Sequence, residues 1–204
     1  VVAHQQDKNE IAVDLIEKAL AVDPNYAEAH NNLGIVLQKQ GKFEGAVASY
    51  KKAVSINADY IEAHNNLGNT FRALGDSNNA IESYQKALAI DPNYAEAHYN
   101  LGNLFNDEQR LDDAVASYHK ALAAKPDHAK AYNNLGNVLT LQGKLDDAIA
   151  SYRKALVLKL TYAEAYNNLG IVLQQQGEVD DAVINYRKAI AIKPDYADAH
   201  INLG

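Results

Sequence analysis

Residues 27–60 read AEAHNNLGIVLQKQGKFEGAVASYKKAVSINADY, and the pattern of this stretch returns every 34 residues without insertion or deletion. The pair Leu33-Gly34 marks the repeat most clearly. Its later copies are Leu67-Gly68, Leu101-Gly102, Leu135-Gly136, Leu169-Gly170 and Leu203-Gly204. A fixed period of this length indicates a repeat architecture, in which each unit packs on the next. The repeat is therefore the unit in which structure and function have to be understood.

Each repeat contains the pattern of two amphipathic helices. In residues 27–40 apolar side chains recur three and four positions apart, and Gly41 follows where a left-handed cap ends a helix. In residues 44–56 Ala46, Tyr50 and Ala53 begin a second apolar stripe. We predict five helix pairs without strands. Their first helices are predicted near 28–40, 62–74, 96–108, 130–142 and 164–176.

Two local features of the helix ends carry further predictions. Asn25 and Glu28 have the spacing of a capping box, which predicts side-chain capping at the start of the first helix. Gln109 occupies the register of Gly41, where the left-handed cap is expected. Since an L-residue is strained in that conformation, we expect the turn at Gln109 to differ from the others.

The series Leu33-Gly34, Leu37, Ala46, Tyr50 and Ala53 resembles the signature of the tetratricopeptide repeat family. The proline that completes the signature stands at Pro24, Pro92, Pro126 and Pro194, whereas Ala58 and Leu160 replace it in two turns. The resemblance covers nearly the whole chain. It implies an all-α fold, a right-handed superhelical solenoid of antiparallel helix pairs.

The period also divides the chain. We predict a single solenoid over residues 1–204, with a partial repeat at 1–26 and a truncated one at 197–204. The full repeats are 27–60, 61–94, 95–128, 129–162 and 163–196.

Composition restricts the possible partners. The 19 basic and 26 acidic residues give a formal net charge of -7, which disfavours nucleic acid as a partner. No apolar stretch is long enough to span a membrane, and no signal peptide opens the sequence. We expect a cytoplasmic protein, although the absence of methionine indicates that the native N-terminus precedes Val1.

The sequence contains no pattern typical of an enzyme or a metal site. Phosphate-binding glycine loops, metalloprotease His pairs and nucleophile elbows do not occur, and the chain has no cysteine. The histidines His30, His64, His98 and His200 share one register, but adjacent helices lie about 8–10 Å apart, too far for two of them to bind one ion. We expect no catalytic residue, no metal and no cofactor.

Asparagine is the unusual residue of the first helices. The position before each Leu-Gly pair is Asn32, Asn66, Asn100, Asn134, Asn168 or Asn202, which we call the outer register. The position before that is Asn31, Asn65, Asn133 or Asn167, which we call the inner register. Asn69, Asn103 and Asn137 continue the same polar stripe. Asparagine disfavours a helix by up to about 0.7 kcal/mol relative to alanine, so a purely structural helix has little reason to use it.

An asparagine side chain can bond both the N–H and the C=O of a peptide unit. In the tetratricopeptide family the first helix of each pair lines the concave surface where ligands bind. The outer register resembles the asparagine ladder in the repeat arm of the O-linked N-acetylglucosamine transferases. We therefore predict that both registers, together with Asn69, Asn103 and Asn137, bind an extended protein or peptide segment that is uncharged or mildly basic.

Three alternatives remain open. If the asparagines bind a ligand, alanine variants at Asn66, Asn100 and Asn134 should weaken binding while stability holds or rises slightly. An intramolecular hydrogen bond to the next helix would also retain the asparagines, and the same variants would then lose stability. Apolar surface at the solenoid ends favours homotypic assembly, that is, a homo-oligomer formed by end-to-end stacking. The chain is also compatible with the substrate-selecting arm of a larger enzyme, such as a glycosyltransferase.

Overall fold

The structure is a computed structural model that describes residues 2–204, with side chains described from Asn9 onwards. Within this range all regular secondary structure is α-helix, without a strand. The helices are α1 Val2–Val22, α2 Ala27–Lys39, α3 Phe43–Ile56, α4 Ile61–Ala73, α5 Ser77–Ile90, α6 Ala95–Asp107, α7 Leu111–Ala124, α8 Ala129–Leu141, α9 Leu145–Leu158, α10 Ala163–Gln175, α11 Val179–Ile192 and α12 Ala197–Leu203. The predicted all-α fold of helix pairs is confirmed, and each first helix begins one residue before its predicted position.

The Leu-Gly glycine brings the two helices of a pair together. A Cβ added to Gly34 would lie 2.6 Å from the Cε1 atom of Tyr50, and the same contact recurs from Gly68 to Tyr84. Tyr50 and Tyr84 are fully buried. Only glycine leaves room for the tyrosine ring at this crossing, because a side chain there would overlap it. The glycine of the first helix and the tyrosine of the second therefore depend on each other for the packing of the pair.

A left-handed residue ends the first helix of each pair. Gly41, Gly75, Gly143 and Gly177 have φ between 73° and 84°. Gln109 adopts the same conformation at φ 60°, and Arg110 N donates to Phe105 O at 2.8 Å, as Lys42 N does to Leu37 O at 2.9 Å. The prediction of a different turn at Gln109 is wrong. The hydrogen bonds and packing of the cap outweigh the strain of about 1–2 kcal/mol expected for an L-residue there.

The capping-box prediction at Asn25 is also wrong. The N-cap of α2 is Tyr26, and its side chain makes no capping hydrogen bond. Asn25 lies one residue earlier, and its backbone N–H donates to the Asp23 carboxylate at 3.0 Å. Asx chemistry thus shapes the turn before the helix instead of the helix end.

The histidine register fixes the connection between repeats. The Nε2–H of His64 donates to the backbone oxygen of Ala58 at 2.9 Å, and that of His98 donates to Pro92 O at the same distance. His30 and His200 make the equivalent bond to Pro24 and Pro194. The four histidines thus have a packing role, which accounts for their recurrence.

The chain divides into two compact units, Val1–Asn100 and Leu101–Gly204. In the first unit α2 packs on α3 and α4 on α5, and in the second α8 packs on α9 and α10 on α11. That residues 1–204 form one solenoid stays a prediction.

Candidate functional site

The first helices place the asparagines in two rows within each unit. In α4, Asn65 and Asn66 directly precede Leu67 and Gly68, and Gly68 is the residue packed against Tyr84. This close helix contact fixes the rotation of the helix about its axis. Asn65 consequently turns inwards and is buried, whereas Asn66 remains partly exposed.

Hydrogen bonds between side chains link asparagines of successive first helices in the first unit. The Asn66 Nδ2–H donates to Asn31 Oδ1 at 3.1 Å, and the Asn100 Nδ2–H donates to Asn65 Oδ1 at 2.9 Å. Asn32 is exposed and has no such bond with the described residues. An outer asparagine thus bonds to the inner asparagine of the preceding repeat.

The second unit extends this network. The Asn168 Nδ2 group donates to Asn137 Oδ1 at 3.0 Å and to Asn133 Oδ1 at 3.4 Å. The Asn202 Nδ2–H donates to Asn167 Oδ1 at 2.9 Å. In the same way Asn134 donates to Asn103 Oδ1 at 2.9 Å. The outer-register asparagines other than Asn32 are thus held in orientation by bonds that cross between repeats.

The inner register has almost no exposed surface. Asn31, Asn65, Asn133 and Asn167 have exposed fractions of 5%, 6%, 0% and 3%. Buried amides need hydrogen-bond partners, and these four obtain them from the next repeat. Their hydrogen bonds are those of the intramolecular interpretation that the sequence left open, in which an asparagine bonds to the next helix.

Tyrosines of the second helices also take part in the network, a role that the sequence did not predict. The Tyr152 hydroxyl donates to Asn137 Oδ1 at 2.8 Å, and Tyr84 and Tyr118 bond to Asn69 and Asn103 in the same way. Where isoleucine replaces this asparagine, as at Ile171, Tyr186 bonds to Gln174 Oε1 at 2.8 Å instead. The constant spacing of 15 residues between asparagine and tyrosine was the available signal.

A cavity of about 540 Å³ lies along the asparagine rows of the second unit. Its lining residues are Asn137, Asn167, Asn168, Asn202, Glu164, Asp198, Ile171, Ile201 and Tyr196. Burial, and then the charges of Glu164 and Asp198, raise the pKa of Tyr196 above its usual value. The Oδ1 atoms of Asn168 and Asn202 accept no hydrogen bond from a described residue. The cavity therefore presents hydrogen-bond acceptors and negative charge.

No group of three or more His, Asp or Glu residues in the described part of the chain is arranged to hold a metal ion. No helix within residues 2–204 is long and apolar enough to cross a membrane.

Known proteins share both the repeat and the fold. MamA has a solved structure that is 32% identical, with a TM-score of 0.72 over 81% of this chain and 96% of that chain. MamA from Desulfovibrio magneticus RS-1 is 22% identical, with a TM-score of 0.73 over 84% of this chain and 97% of that chain. YrrB, described as a TPR protein with an unusual peptide-binding site, is 22% identical, with a TM-score of 0.70 over 91% and 96% of the two chains. The two likenesses at 22% show the fold alone.

A comparison with curated proteins finds no match. A family model described as TPR repeat matches residues 2–41, 37–71, 68–106, 102–143, 136–177 and 175–204. These six segments agree with the helix pairs and with the tyrosine–glycine contacts in each unit. The chain belongs to the TPR repeat family.

Proposed function

We propose that this protein is an interaction scaffold that binds an extended peptide segment through the asparagine side chains of its first helices. The TPR repeats support a role in protein–protein interaction. The observation that carries the finer proposal is the cavity of about 540 Å³ in the second unit, which Asn137, Asn168 and Asn202 line together with Glu164 and Asp198.

Preorganisation supports this assignment. Asn168 and Asn202 already use their Nδ2 groups within the protein, so each carbonyl oxygen is held in place before a ligand arrives. Fixing side chains in advance lowers the entropy loss on binding. An extended strand rises about 3.3 Å per residue. Repeats about 10 Å apart would therefore contact residues that lie three positions apart in the bound segment.

The free groups of the cavity also specify the partner's chemistry. Carbonyl and carboxylate oxygens accept hydrogen bonds and attract positive charge, whereas a carboxylate-rich segment would be repelled. The proposed ligand is therefore an uncharged or mildly basic segment, with backbone N–H groups bonded to asparagine and a lysine or arginine near Glu164 or Asp198.

A peptide of sequence (Lys-Ser-Thr)4 tests this proposal by fluorescence anisotropy, with (Glu-Ser-Thr)4 as the control peptide. We expect the lysine peptide to bind more tightly. Glu164→Gln should weaken its binding about two- to fivefold, the effect of losing a partly exposed ion pair. Glu178→Gln is the matched variant: it changes net charge equally, but Glu178 lies at the N-cap of α11, outside the cavity. Equal effects of the two variants, or tighter binding of the glutamate peptide, would contradict the proposal.

A second candidate function is homotypic assembly. Ile201 on α12 is 76% exposed, and Ile11 and Leu15 on α1 are each 60% exposed. Exposed aliphatic side chains on one helix favour association with another apolar surface. Here a second copy of the chain would be the partner.

A further inference from the structure

A second cavity, of about 500 Å³, lies in the Leu101–Gly204 unit among α9, α10 and α11. It shares no lining residue with the asparagine cavity. Val157, Leu160 and Ile184 form apolar parts of its wall, and Arg153, Lys188 and Asp181 are its charged residues. We call it the α9–α11 groove.

The repeats supply an internal comparison for this groove. Ala21, Ser55, Ala89, Ala123 and Ala191 hold the register of Val157. Pro24, Ala58, Pro92, Pro126 and Pro194 hold that of Leu160, and Ala48, Glu82, Ala116 and Ala150 hold that of Ile184. In three registers, then, the groove has a larger aliphatic side chain than any other repeat. The repeat fold does not require these side chains, because the other repeats form without them.

These aliphatic side chains are also exposed. Val157 is 78%, Leu160 72% and Ile184 48% exposed. Such side chains add little packing to the folded chain and leave apolar surface in water, which is unfavourable by roughly 25 cal/mol per Å². Three departures from the repeat that meet in one cavity indicate a surface that another molecule covers.

The equivalent position one repeat earlier shows what the departures do. A cavity of about 280 Å³ lies there, and its lining includes His119, Ala123, Ala150 and Ser151. Each of its lining residues stands 34 positions before a lining residue of the α9–α11 groove. Both repeats thus have a cavity at the same place in the fold. The larger of the two cavities is the one lined by the additional aliphatic side chains.

Charge identifies the chemistry of the partner. Arg153 and Lys188 line the groove with Asp181 as the one carboxylate, whereas the whole chain carries a net charge of -7. Neither cation forms a salt bridge with another residue in the described part of the chain, and Lys188 Nζ lies 5.5 Å from the centroid of the Tyr166 ring. A smaller cavity of about 260 Å³ adjoins the groove at Arg153 and Val157 and adds Lys154. Aliphatic walls beside three cations complement an aliphatic side chain flanked by carboxylates.

We propose that the α9–α11 groove is a second binding site, which takes a segment of another protein with leucine or isoleucine next to aspartate or glutamate. Its volume lies within the usual range of about 300–1,000 Å³ for ligand pockets. The aliphatic side chains enter between Val157, Leu160 and Ile184, and the carboxylates meet Arg153 and Lys188. The site prefers acidic segments, so its ligand is chemically opposite to that proposed for the asparagine cavity.

The variant that tests this site returns three residues to the types found in other repeats, as Val157→Ala, Leu160→Pro and Ile184→Ala together. Because neighbouring repeats fold with these residues, the variant should keep its helical circular dichroism. The probe is a labelled peptide of sequence (Asp-Leu-Ser)4. We expect wild-type protein to bind it and the triple variant to bind at least tenfold more weakly, while binding of (Lys-Ser-Thr)4 stays the same.

Two further comparisons separate the contribution of the aliphatic side chains from that of the charges. The peptide (Asp-Ser-Ser)4 lacks aliphatic side chains and should bind at least tenfold more weakly than (Asp-Leu-Ser)4. Arg153→Gln introduces the residue that Gln85 provides in the same register. It should weaken the binding of (Asp-Leu-Ser)4 and make that binding less dependent on salt concentration. Equal binding by wild type and the triple variant would overturn the proposal, as would equal binding of the two acidic peptides. Self-association of the wild type that the triple variant abolishes, without peptide binding, would assign the groove to a second copy and overturn it as well.

Discussion

At the scale of single residues, the asparagines have two roles that the sequence could not separate. Asn66 donates to the buried Asn31 Oδ1 atom, but its own Oδ1 atom accepts no hydrogen bond from a described residue. An asparagine can therefore hold the neighbouring helix and still offer its carbonyl to a ligand. The sequence alone was compatible with a gain or a loss of stability in alanine variants of the asparagines. The hydrogen bonds of each asparagine now predict the direction at each position.

Asn32 and Asn66 test this distinction. Asn66→Ala should lower the free energy of unfolding by about 1–3 kcal/mol, since it leaves a buried oxygen of Asn31 without a partner. Asn32→Ala should leave it unchanged or raise it by up to about 0.7 kcal/mol, because Asn32 is exposed and alanine is the better helix former. Urea denaturation of both variants measures the difference. Equal stability of the two would mean that the bond to Asn31 contributes nothing.

At the scale of elements, the pairing of helices depends on the glycine of the Leu-Gly pair. A Cβ at Gly34 would overlap the ring of Tyr50, which shows which atoms require glycine at this position. Helix bounds were predictable to one residue because apolar spacing and cap glycines agree. The hydrogen-bond partners of Asn66 and Asn168 were not predictable. Residue spacing identifies the face of a helix, but it gives neither the side-chain rotamer nor the neighbour that the side chain reaches.

Gly34→Ala and Gly45→Ala form a matched pair for this packing. A Cβ at Gly34 would lie 2.6 Å from the buried Tyr50 ring, so we expect a loss of stability within the 1–3 kcal/mol typical of overpacking. A Cβ at Gly45 would lie 3.3 Å from the end of the Leu37 side chain, which can move. Gly45→Ala should therefore raise stability, by up to about 1 kcal/mol, through helix propensity. Thermal unfolding followed by circular dichroism measures both effects. A shift of the unfolding temperature in the same direction for both variants would contradict the packing role of Gly34.

At the scale of the whole molecule, self-association can be tested independently of peptide binding. Sedimentation over a wide concentration range should show a mass that rises with concentration if Ile201 and the apolar side chains of α1 meet those of a second copy. Ile201→Glu should then return the protein towards the monomer, because a carboxylate in an apolar contact is strongly unfavourable. A monomer at every concentration would remove the support for homotypic assembly and leave the peptide proposal intact.

The proposed function requires that outer-register asparagines contact the bound segment. The most direct measurement follows the side-chain amide signals of ¹⁵N-labelled protein by nuclear magnetic resonance while (Lys-Ser-Thr)4 is added. We predict that the signals of Asn168 and Asn202 move progressively to saturation, while those of Asn78 and Asn79, on the second helix α5, stay in place. Signals of Asn168 and Asn202 that remain unmoved at saturating peptide, or that move no more than those of Asn78 and Asn79, would contradict the claim.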